Sequence, residues 1–292
     1  MIIQFKQAVS ILTRTSGYLE NVCSHSLQPF TGCALGGSLC GVGCYAQHQQ
    51  FLTAGRKWGS FLDVKQNAAE LYLKSFEREQ AWARKNRGRM SIFFSSSTEP
   101  FPPQERRLGV TGAILEAMLA QSPDELIIQT HSHLVGEYRD ILARMQQKMQ
   151  LRIHLSIETD ADRLPGLSGN FSSVQKRMDA AKGMKQSGMK VVITVAPLLP
   201  IKDPDRFFNQ LAKVADAVVI DHFIEGDGSR NGSRTLRTAL PEVIRQVNPN
   251  ALNLNYRDTI ANIALKYFPG NVGIGINGFA GFYNHGKLTE HQ

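Results

Sequence analysis

The run Glu125-Leu126-Ile127-Ile128-Gln129-Thr130, the amphipathic stretch 136–149 and the run Leu151-Arg152-Ile153-His154-Leu155-Ser156-Ile157-Glu158-Thr159 follow each other as strand, helix and strand. Apolar residues crowd the outer two pieces, whereas in the middle piece they recur at helical spacing. A strand that returns to its sheet through a helix pairs in parallel, with a right-handed crossover. The alternation continues on both sides: strands are expected at 90–96, 190–196 and 217–223, and helices at 63–85, 104–121, 172–187 and 203–214. Gly188 stops one of these helices and Asp203-Pro204 starts another. With the segment leading into residue 31 as a first strand there are about six units, fewer than a closed eight-stranded barrel needs. The expectation is an α/β protein, an open partial (β/α)6 barrel of TIM type with parallel strands. Residues 1–292 are expected to form a single domain with a C-terminal extension from about 240 to 292.

The chain has 292 residues, 42% of them hydrophobic and 20% charged, enough for one large barrel or two small domains. No apolar run approaches the ~20 residues of a membrane span, and the richest, 191–201, contains Thr194 and two prolines. Residues 1–23 are interrupted by Lys6 and Arg14 and do not read as a secretory signal. Four cysteines, three of them bunched, do not make a disulfide framework, so a reducing, cytoplasmic setting is expected. A formal net charge of +8 permits a polyanionic partner such as nucleic acid and serves solubility equally well.

In a barrel of this kind the chemistry lies at the carboxyl edge of the sheet. Polar residues cluster there: Ser95-Ser96-Ser97-Thr98-Glu99, Gln129-Thr130-His131-Ser132-His133, Ser156-Ile157-Glu158, Ala196-Pro197 and Asp221-His222. Upstream, the glycine-rich loop 31–45 carries Cys33, Cys40 and Cys44 with the spacing C-x6-C-x3-C. Three thiolates so close together repel unless a cation or an iron–sulfur core holds them. Either zinc with a histidine as fourth ligand or a four-iron cluster with one open iron fits a three-thiolate set. The glycines at 32, 36, 37, 41 and 43 favour the cluster, whose sulfides need backbone close by. The plain alternative is a turn-rich loop with buried, inert thiols.

These segments in this order resemble the radical S-adenosylmethionine (SAM) superfamily and, within it, proteins similar to spore photoproduct lyase. The resemblance spans about 27–223. Pro29-Phe30-Thr31-Gly32-Cys33 and Cys44-Tyr45-Ala46 are similar to the family's flanks of the cysteine loop, and Ser97-Thr98-Glu99-Pro100-Phe101 through Glu105 to its Thr-Asp-Pro-Tyr segment and following glutamate. Gln129-Thr130-His131-Ser132 through Arg139-Asp140 is similar to its Thr-Lys/Arg-Ser strand end and later Arg-Asp, and Ala196-Pro197-Leu198-Leu199-Pro200 to its Ala-Pro-Ile-Ile-Pro. The resemblance implies a [4Fe-4S] cluster on Cys33, Cys40 and Cys44 whose open iron chelates SAM. It further implies SAM contacts at Ser97, His131, Ser156 and Ala196, a reductant such as ferredoxin or flavodoxin, and release of a 5′-deoxyadenosyl radical. The loop departs from the family's C-x3-C-x2-C spacing. Gly43 replaces an aromatic residue, and His131 stands where a lysine or arginine usually meets the carboxylate of SAM. The cysteine that returns a hydrogen atom in the lyase proper is missing from Ser95-Ser96-Ser97-Thr98, so another substrate is expected.

The rival reading is a structural zinc protein that binds nucleic acid, with a ligand drawn from His25, His48, His131, His133, His154, His222, His285 and His291. His48, four residues after Cys44, has a spacing that zinc sites use. Cys23 can be a fourth metal ligand, a hydrogen donor or, as is usual for a lone cysteine, a plain buried thiol. Asp221, Glu225 and Asp227 can bind a polar ligand or solvate a loop. The basic run 84–89 reads as a helix C-terminus, and Arg230, Arg234 and Arg237 stay open between phosphate contacts and a soluble loop. Residues 272–279 superficially suggest a phosphate loop, but no helix pattern follows them.

Overall fold

The computed structural model describes residues 1–283, and His285, His291 and the end of the expected C-terminal extension lie outside the described residues. The strands are β1 (Ile2–Lys6), β2 (Leu12–Arg14), β3 (His25–Leu27), β4 (Phe30–Gly32), β5 (Phe61–Lys65), β6 (Ser91–Phe94), β7 (Glu125–Thr130), β8 (Gln150–Ser156), β9 (Lys190–Val195), β10 (Ala217–Ile220) and β11 (Val272–Ile274). The main sheet has the order β11-β10-β9-β8-β7-β6-β3-β2. All its neighbours are parallel except the edge pair β2 and β3. Strand order follows chain order without reversal, which is the winding of a TIM-type barrel, and among the described residues β2 and β11 are the unpaired edges, so the barrel is open as expected. Helices Ala68–Arg87, Val110–Ala120, Arg139–Met145, Val174–Gln186, Pro204–Ala212 and Leu254–Ala264 provide the crossovers.

Side-chain alternation along the strands separates the two faces. Leu126 and Ile128, Ile153 and Leu155, Val191 and Ile193, and Val218 and Ile220 join the large core beneath the helices. Phe93, Ile127, Val192, Ala217 and Val219 point the other way, into the lumen. There Phe279 closes the floor, its ring 6.3 Å from Phe93 and 5.9 Å from His154, while Arg152 Nη1 donates to the Phe279 carbonyl at 3.1 Å.

Several local expectations change. Residues 63–65 are not helical. Phe61–Lys65 pairs in parallel with β1 and antiparallel with β4 as the centre of a second, three-stranded sheet. Asp63 is accommodated in that strand because Arg56 grips it with two 2.8 Å bonds and Lys6 with one of 2.7 Å. The helix expected at 104–121 breaks at Gly109, whose φ of +65° suits glycine, and Glu105 Oε1 then caps the second piece by accepting from Thr111 N (2.7 Å) and Gly112 N (3.2 Å). Residues 272–274 add one parallel strand beyond the expected six units, and helix Gly275–Ala280 does follow it. Its glycines serve close packing, since a Cβ on Gly273 would overlap the backbone of Gly278. Among the described residues no helix is long and apolar enough to cross a membrane.

Candidate functional site at the carboxyl edge of the barrel

Near the ends of β7, β8 and β9 the lumen turns polar. Gln129 Nε2 donates to Ser156 Oγ at 2.6 Å and to Thr194 Oγ1 at 3.0 Å, and the two hydroxyls lie 2.9 Å apart. Ser156 is thus fully buried and already engaged with its neighbours. Ser95 Oγ, Gln129 Oε1 and both ring nitrogens of His154 are buried without a hydrogen-bond partner. A ligand reaching into the barrel would find unsatisfied polar atoms at this level.

Two buried glutamates organise the rim above it. Glu99, which is 3% exposed, accepts from Phe101 N (2.9 Å), Thr130 Oγ1 (2.5 Å) and His131 N (2.8 Å), and burial pushes its carboxyl above the ordinary range despite those donors. Glu158 accepts from His131 Nδ1 at 2.6 Å through Oε1 and from Arg177 Nη1 at 2.8 Å through Oε2. Burial, the largest single influence on Glu158, would raise its pKa, but Arg177 and His131 together outweigh it and hold the carboxyl below the usual range. Arg177 also donates to the Ser156 carbonyl at 2.6 Å, which links His131 and Ser156 through one guanidinium. Ser97 is half-buried on the loop after β6 and Ala196 half-buried at the end of β9. The sequence marks Glu158 only as one of the polar residues at a strand end and does not mark Arg177. The available signal is an arginine on the buried face of its helix, in register with Val174, Ala181 and Met184.

The cysteine loop packs against this rim. Tyr45 OH donates to the Ser96 carbonyl at 3.1 Å, and Leu39 joins Leu199, Phe223 and Leu240 in an apolar cluster. All four cysteines are free thiols. Burial pushes Cys33 up to about 12, with the neighbouring Cys44 adding to the shift. Cys40 is raised well above the ordinary thiol range by burial first and then by Cys44, Glu158, Cys33 and Glu99, and Cys44 rises to about 11, chiefly by burial. Three thiols within electrostatic reach of each other and of two carboxyls resist ionisation unless a cationic group joins them, which is the environment a metal-bearing cofactor relieves. Trp58 supplies a second sign. Its indole Nε1–H is buried and unpartnered, and its ring belongs to the same apolar cluster as Cys33 and Cys44. The donor set therefore fits an iron–sulfur group.

Among the described residues no three His, Cys, Asp or Glu side chains, the loop cysteines included, are gathered as a bound metal ion would require. In a cubane each cysteine bonds its own iron, so thiolates surround a body rather than meet at a point. His48 is exposed. His25 bonds Ser24 Oγ (2.9 Å) and Glu79 (3.2 Å), and His222 bonds the Ala251 carbonyl at 3.0 Å, so both are structural. The loop glycines mostly serve chain packing rather than an approach to sulfides. A Cβ on Gly36 would overlap Gly59, one on Gly41 would overlap Gly36, and Gly37 alone of these has open space. Gly43 faces a δ-methyl of Leu240, which fills the space that an aromatic residue at 43 would need.

The remaining candidates resolve locally. Cys23 lies in the lumen cluster with Phe93 and Ile127, apart from the other thiols. Asp227 organises its own loop by accepting from Ser229 N (2.9 Å) and Thr235 N (2.7 Å), and Glu225 pairs with Arg257 at 3.1 Å. Asp221 is different. It is buried beside Tyr18 OH at 3.4 Å, and burial pushes its carboxyl from an ordinary 3.8 up to about 7. In the basic run, Arg84, Arg87 and Arg89 each pair with an acid, Asp124, Glu20 and Glu125.

No family model matches the chain. An uncharacterised protein of Methanocaldococcus jannaschii is 24% identical over 225 residues, covering 76% of this chain and 80% of that one. A structure of spore photoproduct lyase complexed with dinucleoside spore photoproduct superposes with a TM-score of 0.59 and 15% identity, over 93% of this chain and 81% of that one. A double variant of spore photoproduct lyase with bound AdoMet and dinucleoside spore photoproduct gives a TM-score of 0.60 at 14% identity, over 93% and 80%. The chain has the fold of those structures, a partial TIM-type barrel of parallel strands.

Proposed function

We propose that the protein is a radical SAM enzyme in which Cys33, Cys40 and Cys44 hold a four-iron cluster and SAM binds across the mouth beside Ser97, His131, Ser156 and Ala196. The observation that carries this reading is a loop with three cysteines, Cys33, Cys40 and Cys44, packed through Tyr45 and Leu39 on the carboxyl edge of a barrel that shares its fold with a lyase structure containing AdoMet. When bound and reduced by a donor such as ferredoxin or flavodoxin, a cluster with an open iron supplies the reductive cleavage of SAM to methionine and a 5′-deoxyadenosyl radical. The chain's own residues bind, orient and exclude water. Glu99 fixes the backbone at His131, Glu158 fixes its ring, and the apolar residues Leu35, Ala46, Trp58 and Phe61 pack around Cys33 and Cys44.

The reaction differs from that of the lyase proper. Ser95-Ser96-Ser97-Thr98 offers hydroxyls but no thiol at the strand end where the lyase carries its hydrogen-returning cysteine, and an alcohol O–H yields a hydrogen atom far less readily than a thiol S–H. The test is iron and sulfide analysis of protein purified without oxygen, followed by incubation with reductant, SAM and DNA bearing the spore photoproduct. Roughly four irons and four sulfides per chain with no catalytic return to thymine is the expected result. Stoichiometric zinc without iron contradicts the cluster, and efficient repair contradicts the separation from the lyase.

A further inference from the structure

We infer that Glu158, anchored by Arg177, is a positioning residue that aims the His131 imidazole at the carboxylate of its ligand. The inference rests on the proposed role of His131 in meeting the carboxylate of SAM. An ionised carboxylate only accepts hydrogen bonds, so in the 2.6 Å contact with Glu158 Oε1 it is His131 Nδ1–H that donates. The other carboxylate oxygen is held by Arg177 Nη1 at 2.8 Å, and that nitrogen is itself tied to the Ser156 carbonyl at 2.6 Å. The chain of bonds therefore runs from the backbone of β8 and the helix Val174–Gln186 to the imidazole. Its inner members are rigidly enclosed: the side chains of Glu158 and Arg177 are 2% and 1% exposed, while that of His131 is 24% exposed. With Nδ1–H held inside, the ring edge bearing Nε2 is the one left for a ligand, and Nε2 donates to a carboxylate in the imidazolium form, where both ring nitrogens carry a hydrogen. A lysine at this position would bring a freely rotating point charge and need no such backing, whereas a planar imidazole donates usefully in one orientation only.

The arrangement also predicts what a conservative change does. His131 and Arg177 hold different oxygens of Glu158, so a glutamine at 158 turns an NH2 group toward one of them. The ring then loses its fixed plane without any direct loss of ligand contact.

The experiment is calorimetric titration of cluster-loaded protein with SAM and with decarboxylated SAM, which lacks the carboxylate. Glu158→Gln is expected to weaken SAM binding about tenfold, within the range of one charge-assisted hydrogen bond, and to leave decarboxylated SAM within about twofold. In a His131→Ala background the second substitution should add nothing, because both act on one contact. An equal loss for the two ligands, or additive losses, overturns the inference and makes Glu158 a general structural residue. Unchanged SAM affinity in His131→Ala overturns instead the underlying reading of His131. If Glu158→Gln does not accumulate as folded protein, Glu158→Asp keeps both oxygens and the charge on a shorter arm. It should show a smaller loss confined to SAM, and an equal loss for both ligands overturns the inference there too.

Discussion

Glu99 Oε2 accepts the backbone N–H of His131 at 2.8 Å, so the loop after one strand sets the position of the next strand's end. The other oxygen of Glu99 holds Thr130 Oγ1 and Phe101 N. One buried carboxylate thus replaces the ladder bonds that cease where the strands stop, and the rim keeps its shape on loops.

Glu99→Ala should therefore destabilise the fold by about 3 kcal/mol or more, because it leaves several buried donors without acceptors. Glu99→Gln, which keeps one acceptor oxygen, should lie between this variant and wild type. Urea unfolding followed by circular dichroism checks both, and a Glu99→Ala variant as stable as wild type would remove Glu99 from the rim's support.

In the cysteine loop, Gly36→Ala should be damaging and Gly37→Ala nearly neutral. A Cβ at 36 meets the backbone of Gly59, which cannot swing aside like a side chain, whereas at 37 nothing lies within 4 Å. Overpacking of this kind costs about 1–3 kcal/mol. Melting temperatures and iron content of the two variants, measured in parallel, should both fall for Gly36→Ala alone.

Asp221 gives a pH signature. Burial raises its folded pKa from an ordinary 3.8 to about 7, so the folded state holds the proton more tightly than the unfolded chain does. Its contribution to stability is fully present below the ordinary value and is lost as the pH rises towards 7. Asn at 221 does not titrate. The stability of wild type relative to Asp221→Asn should fall between about pH 4 and pH 7.5, by on the order of 4 kcal/mol. A pH-independent difference contradicts the buried, protonated carboxyl beside Tyr18.

Much of this architecture is legible from residues alone, for reasons visible in the strands. β7, β8 and β9 have six or seven residues and are buried on both faces, so they form long apolar runs between amphipathic helices. β1 is almost wholly exposed and β11 has three residues, one of them glycine, so neither carries a pattern. Phe61–Lys65 was open to a helical reading because only its pairing with β1 and β4, distant in sequence, makes it a strand. The site divides in the same way. Cys33, Cys40 and Cys44 declare themselves by spacing, and the strand ends by their polar residues. The link from His131 to Glu158 to Arg177 spans 27 and 19 residues of sequence and becomes visible only when the crossover helix is packed.

The ligand assignment makes a plain distinction among the four cysteines. Alanine at Cys33, Cys40 or Cys44 should each lower iron and sulfide content severely. Cys23→Ala should retain them, since Cys23 sits among the lumen residues with its thiol bonded to the Leu19 carbonyl at 3.7 Å. Colorimetric iron and sulfide assays on anaerobically reconstituted protein make the comparison, and loss of iron in Cys23→Ala would bring that residue into the ligand set.

The central claim is tested most directly by incubating the reconstituted protein with dithionite and SAM and measuring 5′-deoxyadenosine by chromatography, with Cys40→Ala alongside. The account predicts 5′-deoxyadenosine and methionine from wild type and none above background from Cys40→Ala. Wild-type protein with a full complement of iron and sulfide that leaves SAM intact, or equal product from the variant, would contradict it.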